Sequence, residues 1–385
     1  MPNRWLILFV LFFARVTMAF QFQSAAALSP FIADSHGATL ADIGLLIGVY
    51  LGPGIVVSIP GGSLAARFGD RRVVGWSLAT MLTGGLMMTL GESWSLLLSG
   101  RVLAGVGGVV VNIVMTKMVV DWFAGREIGT AMGLFISSWP LGITLALLVL
   151  PWLAAGGWLA LGWLGVVVVI GVALALFLGI YEPAPGLENA VPKGSSTSLP
   201  VVPLSLAAAI WALYNTALAM VFGFGPLLLT ERGLTATVAS PVVSLFTLMV
   251  GIGTPIGGML SDRLGRDPVI LFSLVASALF LPLLATLPLS YATPVFAVAG
   301  LVMALAPGPI MTLPAQILRP ETRAFGMGVF FAVYYAVMMA GPAIAGAIAD
   351  RAGDAGVALY LGSGMLAVSA VSLVFFRRTA AARPA

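Results

Sequence analysis

The chain has 385 residues, of which 60% are hydrophobic and only 8% are charged, and its mean hydropathy is +1.09. Such a sequence carries too little polar surface for a soluble domain and predicts a polytopic membrane protein. The net charge of +4 would suggest nucleic acid in a soluble protein, but basic residues in a membrane protein report topology. We therefore expect no nucleic-acid partner. With no cysteine and a single histidine, we expect neither a disulfide, a metal nor a cofactor.

Twelve segments have the roughly 20 mostly apolar residues that a spanning helix needs. The first six lie at roughly 5–28, 41–66, 73–91, 95–119, 128–153 and 158–180. A stretch rich in proline, glycine and serine follows, which predicts an extended linker. The second six lie at roughly 204–229, 238–260, 268–287, 292–318, 324–349 and 355–376. We predict an N-terminal half (1–182), a cytoplasmic linker (183–202) and a C-terminal half (203–385).

Arginine and lysine predict the orientation of the spans. In a twelve-span arrangement most basic residues fall on one side, and only Arg232 and Arg351 lie clearly on the other. Both termini are then cytoplasmic, and we expect a monomeric integral protein of a bacterial inner (plasma) membrane, surrounded by lipid. A cleaved signal peptide is a less favoured interpretation of residues 5–28. Arg15 interrupts the apolar run, and cleavage would leave five helices facing six.

A short basic loop occurs twice, after the second and after the eighth predicted helix. The first copy contains Gly62, Arg67, Gly69 and Arg71, and the second contains Gly258, Asp262, Arg263, Gly265 and Arg266. A repeat of this kind predicts two similar halves joined end to end, as in many secondary transporters. Glycines permit a tight turn, and an acid at a helix end can face the positive N-terminus of a neighbouring helix. We predict a gating motif in which Asp262 is a latch. In the first copy Ala66 replaces that acid.

Over essentially its whole length the chain resembles the major facilitator superfamily. The resemblance rests on the second loop, which follows the pattern Gly-x-x-x-Asp-Arg-x-Gly-Arg, and on the fourth helix, where Arg101 precedes closely spaced glycines. It implies an all-α membrane protein of twelve transmembrane helices in two pseudo-symmetric halves, with Asp262 meeting the start of the fifth helix near 126–129. A weaker similarity, around residues 121–129, is to cyanate permeases, nitrate/nitrite porters and oxalate/formate exchangers. The glycine-asparagine signature of the nitrate group is missing, which counts against nitrate.

Ionisable residues inside the predicted spans are few, and each costs at least about 2.5 kcal/mol. Arg101 can reach toward Glu92 and the outer surface, and Lys117 can reach the cytoplasmic interface. Arg15 lies near the middle of the first helix, where the sequence offers no carboxylate. We predict that it binds an anionic substrate through its guanidinium fork. The alternative is that it bonds backbone carbonyls, Gln23 or Asn112, and only organises the bundle.

Other polar side chains at suitable depth complete a predicted substrate site. Its members are Arg15, Gln23, Asn112, Tyr214, Asn215, Gln316, Tyr334 and Tyr335. Asn112 and Arg101 are about 20° apart around the fourth helix, so we expect them to share a face. For the tyrosines, bonding within the bundle or at the interface is an equal alternative.

The sequence predicts a secondary active transporter that moves a small anionic solute by alternating access. Two alternatives remain open. One is a proton-coupled exporter of apolar drugs, suggested by 17 methionines and 21 phenylalanines that could form an adaptable pocket. The other is a nontransporting membrane sensor on the same fold. We do not expect an enzyme, because the residues for acid-base or metal chemistry are missing from the spans. Without an intramembrane acid, exchange of anions or a proton travelling with the anion is the expected coupling.

Overall fold

A computed structural model describes residues 3–58, 61–91, 93–123, 128–156, 158–184, 199–318 and 323–381. In this part of the chain eleven helices are long and apolar enough to cross a membrane. A twelfth, Asp70–Thr89, has 20 residues, or about 30 Å at 1.5 Å per residue, but its first turn is charged and it contains several glycines and threonines. The predicted all-α membrane fold with twelve spans is confirmed.

The first nine helices cover residues 4 to 180. They are α1 (Arg4–Ala27), α2 (Ser29–His36), α3 (Leu40–Val49), α4 (Gly54–Val57), α5 (Gly61–Phe68), α6 (Asp70–Thr89), α7 (Trp94–Phe123), α8 (Ile128–Ala154) and α9 (Leu159–Ile180). The next seven are α10 (Val201–Glu231), α11 (Ala236–Leu264), α12 (Arg266–Thr286), α13 (Ala292–Met303), α14 (Pro307–Met311), α15 (Arg323–Ala352) and α16 (Val357–Ala381). Short 3₁₀ turns lie at Leu289–Tyr291 and Pro314–Gln316.

The chain divides into two compact units. The first contains Met1–Gly37 and Val49–Lys193, and the second contains Ala38–Gly48 and Gly194–Ala385. Most of α3 therefore belongs to the second unit, although it precedes the linker in the sequence. In each unit the helices pack mainly as long neighbouring pairs, with α6 on α7 and α1 on α8 in the first, and α10 on α16 and α11 on α13 in the second.

Small residues set the closest helix approaches in both units. A Cβ on Gly105 of α7 would overlap the backbone of Tyr50, and a Cβ on Gly300 of α13 would overlap the carbonyl of Phe246. In the second unit a Cβ on Gly44 of α3 would likewise overlap the backbone of α15. Membrane helices associate through such backbone proximity because lipid tails provide no hydrophobic driving force between them.

Two predicted spans are interrupted rather than continuous. The segment 41–66 breaks after α3 at Leu51-Gly52-Pro53, and the segment 292–318 breaks between α13 and α14, where Pro307 begins the new helix. Proline has no N–H to donate and its ring clashes with the preceding turn. The short helix α2, directly after α1, was not predicted.

The repeated loop forms the same turn in both copies. Gly69, between α5 and α6, has φ 84°, and Gly265, between α11 and α12, has φ 90°. These angles lie in a region that side chains with a Cβ rarely adopt. The glycines of the repeated motif therefore connect consecutive helices in the two places where the sequence repeats.

Candidate functional site

Arg15 connects three helices of the first unit. From α1, its Nε donates to Oδ1 of Asn112 on α7 at 3.1 Å. Its Nη1 donates to the carbonyl of Phe135 on α8 at 2.8 Å, and lies 3.3 Å from both the carbonyl of Ile136 and Oγ of Ser138. The guanidinium carbon lies 4.7 Å from the centroid of the Phe135 ring. The side chain is half-buried.

Pro140 explains why the carbonyl of Ile136 on α8 is open to an arginine donor. Pro140 lies inside α8 and cannot donate to the carbonyl four residues earlier, which is that of Ile136. An interior carbonyl without its helical donor needs another partner, and Arg15 supplies one. The oxygens named above carry no formal charge, and they fix the direction of the guanidinium through hydrogen bonds.

These contacts match part of the alternative interpretation of Arg15. It bonds backbone carbonyls and Asn112, two of the three kinds of partner that interpretation named. Gln23, the third, is 1% exposed on α1. The structure thus brings Asn112 to Arg15, and adds Ser138 on α8, which the predicted site did not include. Binding of a substrate anion by Arg15 remains a prediction.

Arg101 makes the reverse connection, from α7 to α1, and is 0% exposed. Its Nη1 donates to the carbonyl of Gln21 at 2.5 Å and to Oγ of Ser24 at 3.4 Å, while Nη2 donates to the carbonyl of Phe22. The guanidinium carbon lies 4.6 Å from the centroid of the Tyr50 ring. All three partners on α1 lie within its last seven residues, where the partial negative charge of the helix end favours a cation.

The expectation that Arg101 reaches the outer surface is therefore wrong, while Glu92, its other expected partner, lies outside the described residues. The carbonyls of α1 satisfy the guanidinium inside the bundle, so the side chain does not extend to water. Arg101 and Asn112 both contact α1, one near its C-terminal end and the other at Arg15 in its middle. Two arginines thus join α1 and α7 at different depths.

An aromatic cluster lies on α10 and α15, near the middle of both helices. The ring centroid of Trp211 lies 6.2 Å from those of both Tyr214 and Tyr334. Tyr334 in turn lies 5.0 Å from Tyr335 and 6.2 Å from Phe331. Three of the predicted site residues, Tyr214, Tyr334 and Tyr335, therefore lie together with Trp211, which the predicted site did not include.

The polar atoms of this cluster have mostly local partners. The hydroxyl of Tyr214 donates to the carbonyl of Met303, the last residue of α13, at 2.8 Å, and Asn215 donates to the carbonyl of Trp211 on its own helix. The indole Nε1 of Trp211 is buried without a hydrogen-bond partner. A sequence signal for Trp211 existed, since tryptophan in membrane proteins concentrates at interfaces and this one lies about 15 Å into its helix.

Gln316 does not join this cluster. The break of the tenth span places it in the 3₁₀ turn Pro314–Gln316, where it is exposed and its Oε1 accepts from Nη1 of Arg377 at 2.6 Å. Its predicted position on a continuous helix at substrate depth is wrong.

The predicted gating residues occupy equivalent positions around the two turns. Gly62 and Arg67 lie in α5, and Arg71 donates to the carbonyl of Leu178 near the end of α9 at 2.6 Å. In the second copy Gly258, Asp262 and Arg263 lie in the last two turns of α11, and Arg266 begins α12. Asp262, Arg263 and Arg266 are exposed. Residues 126 and 127, half of the expected partner of Asp262, lie outside the described residues, so the latch remains a prediction.

Lys117 has nearer partners than the lipid headgroups toward which it was expected to extend. Its Nζ lies 2.9 Å from a carboxylate oxygen of Asp70 and 3.1 Å from one of Asp121. The lysine side chain is 46% exposed, and each acid is 17% exposed. This ion-paired group joins the start of α6 to the last turns of α7.

Comparison with known proteins identifies the class. The chain matches the Major Facilitator Superfamily over residues 11–239 and again over 208–385. It therefore belongs to that superfamily, and is a membrane transporter of small molecules rather than an enzyme.

Among its relatives, the 3-(3-hydroxy-phenyl)propionate transporter of Escherichia coli is 27% identical over 349 residues, which cover 86% of this chain and 83% of the relative. A probable 4-methylmuconolactone transporter of Cupriavidus pinatubonensis is 27% identical over 296 residues, covering 70% and 67%. Among solved structures, a bacterial homolog of the human lysosomal transporter Spinster superposes with a TM-score of 0.72 over 99% of this chain and 96% of that one. At 19% identity this similarity shows the fold alone.

Proposed function

We propose that the chain is a secondary active transporter of a small organic anion, and that Arg15 binds the anionic group. Arg15 carries the proposal, as a permanent positive charge near the middle of a spanning helix with a side chain that is only half-buried. A charge at such a depth is costly and is retained mainly where it serves a pathway or a ligand.

The contacts of Arg15 make it suitable for that role. Its Nε and Nη1 are held in direction by Asn112 and by the carbonyl of Phe135, so less conformational freedom is lost when a ligand binds. These partners are neutral oxygens. A carboxylate is a stronger acceptor for the guanidinium, because the attraction of two opposite formal charges adds to the hydrogen bond. The guanidinium fork can also hold a carboxylate through two parallel bonds.

The relatives favour an organic acid with an apolar part. One is named as a transporter of 3-(3-hydroxy-phenyl)propionate, which has an aromatic ring and a carboxylate. We include Gln23, Asn112, Asn215, Trp211, Tyr334 and Tyr335 as further substrate contacts, the aromatic members serving the apolar part of the ligand.

The transport cycle follows from the same proposal. Residues 1–182 and 203–385 would be the halves that expose the binding site alternately to the two sides, with both termini on the cytoplasmic side of a bacterial inner membrane. The anion would move in exchange for another anion or together with a proton, and the pH dependence of transport would follow the pKa of the substrate.

Uptake of radiolabelled 3-phenylpropionate into proteoliposomes tests the role of Arg15. We expect Arg15→Ala to abolish uptake, and Arg15→Lys to raise the KM at least about tenfold because lysine cannot make the bidentate contact. Arg351→Gln, which removes an exposed arginine at the end of α15, is the matched control and should transport normally. Each variant must first elute as a monodisperse protein with a cooperative melting transition.

Two outcomes would refute the proposal. If both Arg15 variants transport with normal affinity, Arg15 does not bind the substrate. If the uncharged amide of the same acid is transported as well as the acid, the substrate is not recognised as an anion, and an exporter of apolar compounds becomes the better proposal.

A further inference from the structure

A cavity of about 360 Å³ lies between α12 and α16 of the second unit. It is lined by Asp267, Pro268, Leu271, Leu373, Val374 and Arg377. Both helices are membrane spans, and the cavity lies beside the first residues of α12 and the last turns of α16. The distribution of basic residues assigns this end of both helices to the cytoplasmic side.

The charged part of the cavity lining, at its mouth, is the ion pair of Arg377 and Asp267. Nη2 of Arg377 pairs with Asp267, and its Nη1 donates to Gln316. The side chains of Arg377 and Asp267 are 34% and 43% exposed, so the pair lies at the boundary with water. Nε of Arg377 is buried without a hydrogen-bond partner. Each member of the pair has an exposed arginine beside it in the sequence. Arg378 follows Arg377 on α16, and Arg266 precedes Asp267 on α12.

The wall below this mouth is apolar. Leu271 lies one turn after Asp267 on α12 and is 40% exposed, and Val374 lies about one turn before Arg377 on α16 and is 46% exposed. Single apolar residues on membrane helices ordinarily face lipid. A recess between two helices that is apolar inside and has a basic mouth is more specific, because it matches the two chemically distinct parts of a phospholipid.

We propose that this cavity binds an anionic phospholipid of the cytoplasmic leaflet. The phosphate sits at the mouth against Arg377 and Arg378, and an acyl chain lies along Leu271 and Val374. Basic pockets between membrane helices on the cytoplasmic side are suited to anionic headgroups. The charge complementarity comes from the two helix ends, which carry Arg266, Arg377 and Arg378 against the single acid Asp267.

The proposal makes opposite predictions for the two members of the ion pair. The phosphate competes with Asp267 for the guanidinium of Arg377. Removing the arginine should therefore weaken lipid binding, whereas removing the aspartate should strengthen it. A pair that only fastens α12 to α16 would respond to both changes in the same direction, because either substitution breaks the pair.

Lipid binding can be measured on the full-length protein in detergent by native mass spectrometry, titrating phosphatidylglycerol against phosphatidylcholine. We expect the wild-type protein to bind phosphatidylglycerol more tightly than phosphatidylcholine. Arg377→Gln and Arg378→Gln should each weaken it about fivefold, the effect of roughly one basic residue near an anionic headgroup. Asp267→Asn should tighten it. Arg232→Gln, at the opposite end of the second unit, is the matched control and should leave it unchanged.

Three results would overturn the proposal. Equal binding of the two lipids would show that charge is not recognised. Weaker binding in Asp267→Asn would show that the ion pair itself maintains the cavity, and this variant remains informative if Arg377→Gln fails to fold. Binding of soluble glycerol phosphate with the affinity of phosphatidylglycerol would show that the site takes a free phosphate and makes no use of the acyl chain.

Discussion

The carboxylate of Asp350, near the end of α15, caps the N-terminus of α3 within the second unit. Its Oδ1 accepts from the backbone N–H of Leu40 at 2.6 Å, and its Oδ2 accepts from that of Ala41 at 2.7 Å. The first N–H groups of a helix have no acceptor within the helix, and their partial positive charge attracts an anion. In Asp350→Asn the charge is lost and one acceptor oxygen becomes an NH₂ donor, so one of the two N–H groups loses its partner.

The cost of this substitution follows from those two bonds. A hydrogen bond to a charged group contributes about 1.5–3 kcal/mol against about 0.5–1.5 for a neutral one, and an unsatisfied buried donor costs about 1–3 kcal/mol. The charge-dipole attraction adds about 0.3–1 kcal/mol. Because the N-terminus of α3 is only partly buried, we take about 2–4 kcal/mol for the whole change. The ratio of molecules in which α3 is packed on α15 to molecules in which it is detached should then fall by about 30-fold to about 1000-fold.

Hydrogen exchange of peptides that cover residues 38–48 measures this directly. The amides of Leu40 and Ala41 should exchange at least about 30-fold faster in Asp350→Asn. Asp354→Asn is the matched control, because Asp354 accepts from Gly356 in its own turn at 2.7 Å and should leave α3 unchanged. Unaltered exchange in Asp350→Asn, or equal acceleration in the control, would show that the carboxylate does not hold the helix.

Two further substitutions test the packing of α7. Arg101→Lys replaces two nitrogens that bond different carbonyls, those of Gln21 and Phe22, by a single ammonium nitrogen, and should lower the free energy of unfolding by about 1–3 kcal/mol. An unchanged denaturation midpoint in mixed detergent would contradict the buried network. Gly105→Ala would force a Cβ into the backbone of Tyr50 and should cost about 1–3 kcal/mol. Its control is an exposed helix glycine with open space around it, Gly179→Ala, which should be neutral or slightly stabilising in the same assay.

The twelve spans could be predicted from the sequence because apolar length is a property of a contiguous segment. The interruptions at Pro53 and Pro307 could not be read from proline alone. Proline also lies inside helices that continue past it, such as Pro140 in α8 and Pro226 in α10. Whether a membrane helix stops or continues at proline depends on whether neighbouring groups satisfy the carbonyl that it leaves without a donor. That information lies in the packing and not in the segment.

The candidate site shows the same division between local and spatial information. The depth of Arg15 and its proximity to Asn112 followed from helix length and residue type. Its contacts with the Phe135 and Ile136 carbonyls depend on which face of α8 meets α1. The enclosure of Arg101 was missed for a similar reason, since snorkelling and burial are both open to an arginine near a helix end. Arg101 is buried because the C-terminal end of α1 presents carbonyl oxygens to its guanidinium.

Arg15 and Arg101, the two arginines that join α1 to α7, differ in what a ligand could gain from them. Arg101 is completely enclosed and directs its donors to the backbone of α1, so an anion could reach it only if α1 and α7 separated. Arg15 is half-buried, and its Nη1 is shared between the carbonyls of Phe135 and Ile136. An anion that drew Nη1 away would remove this hydrogen bond from the Ile136 carbonyl, which Pro140 already deprives of its helical donor. Substrate binding at Arg15 would then change the relative stability of conformations of α8, which is the differential interaction that a ligand needs to shift a conformational equilibrium.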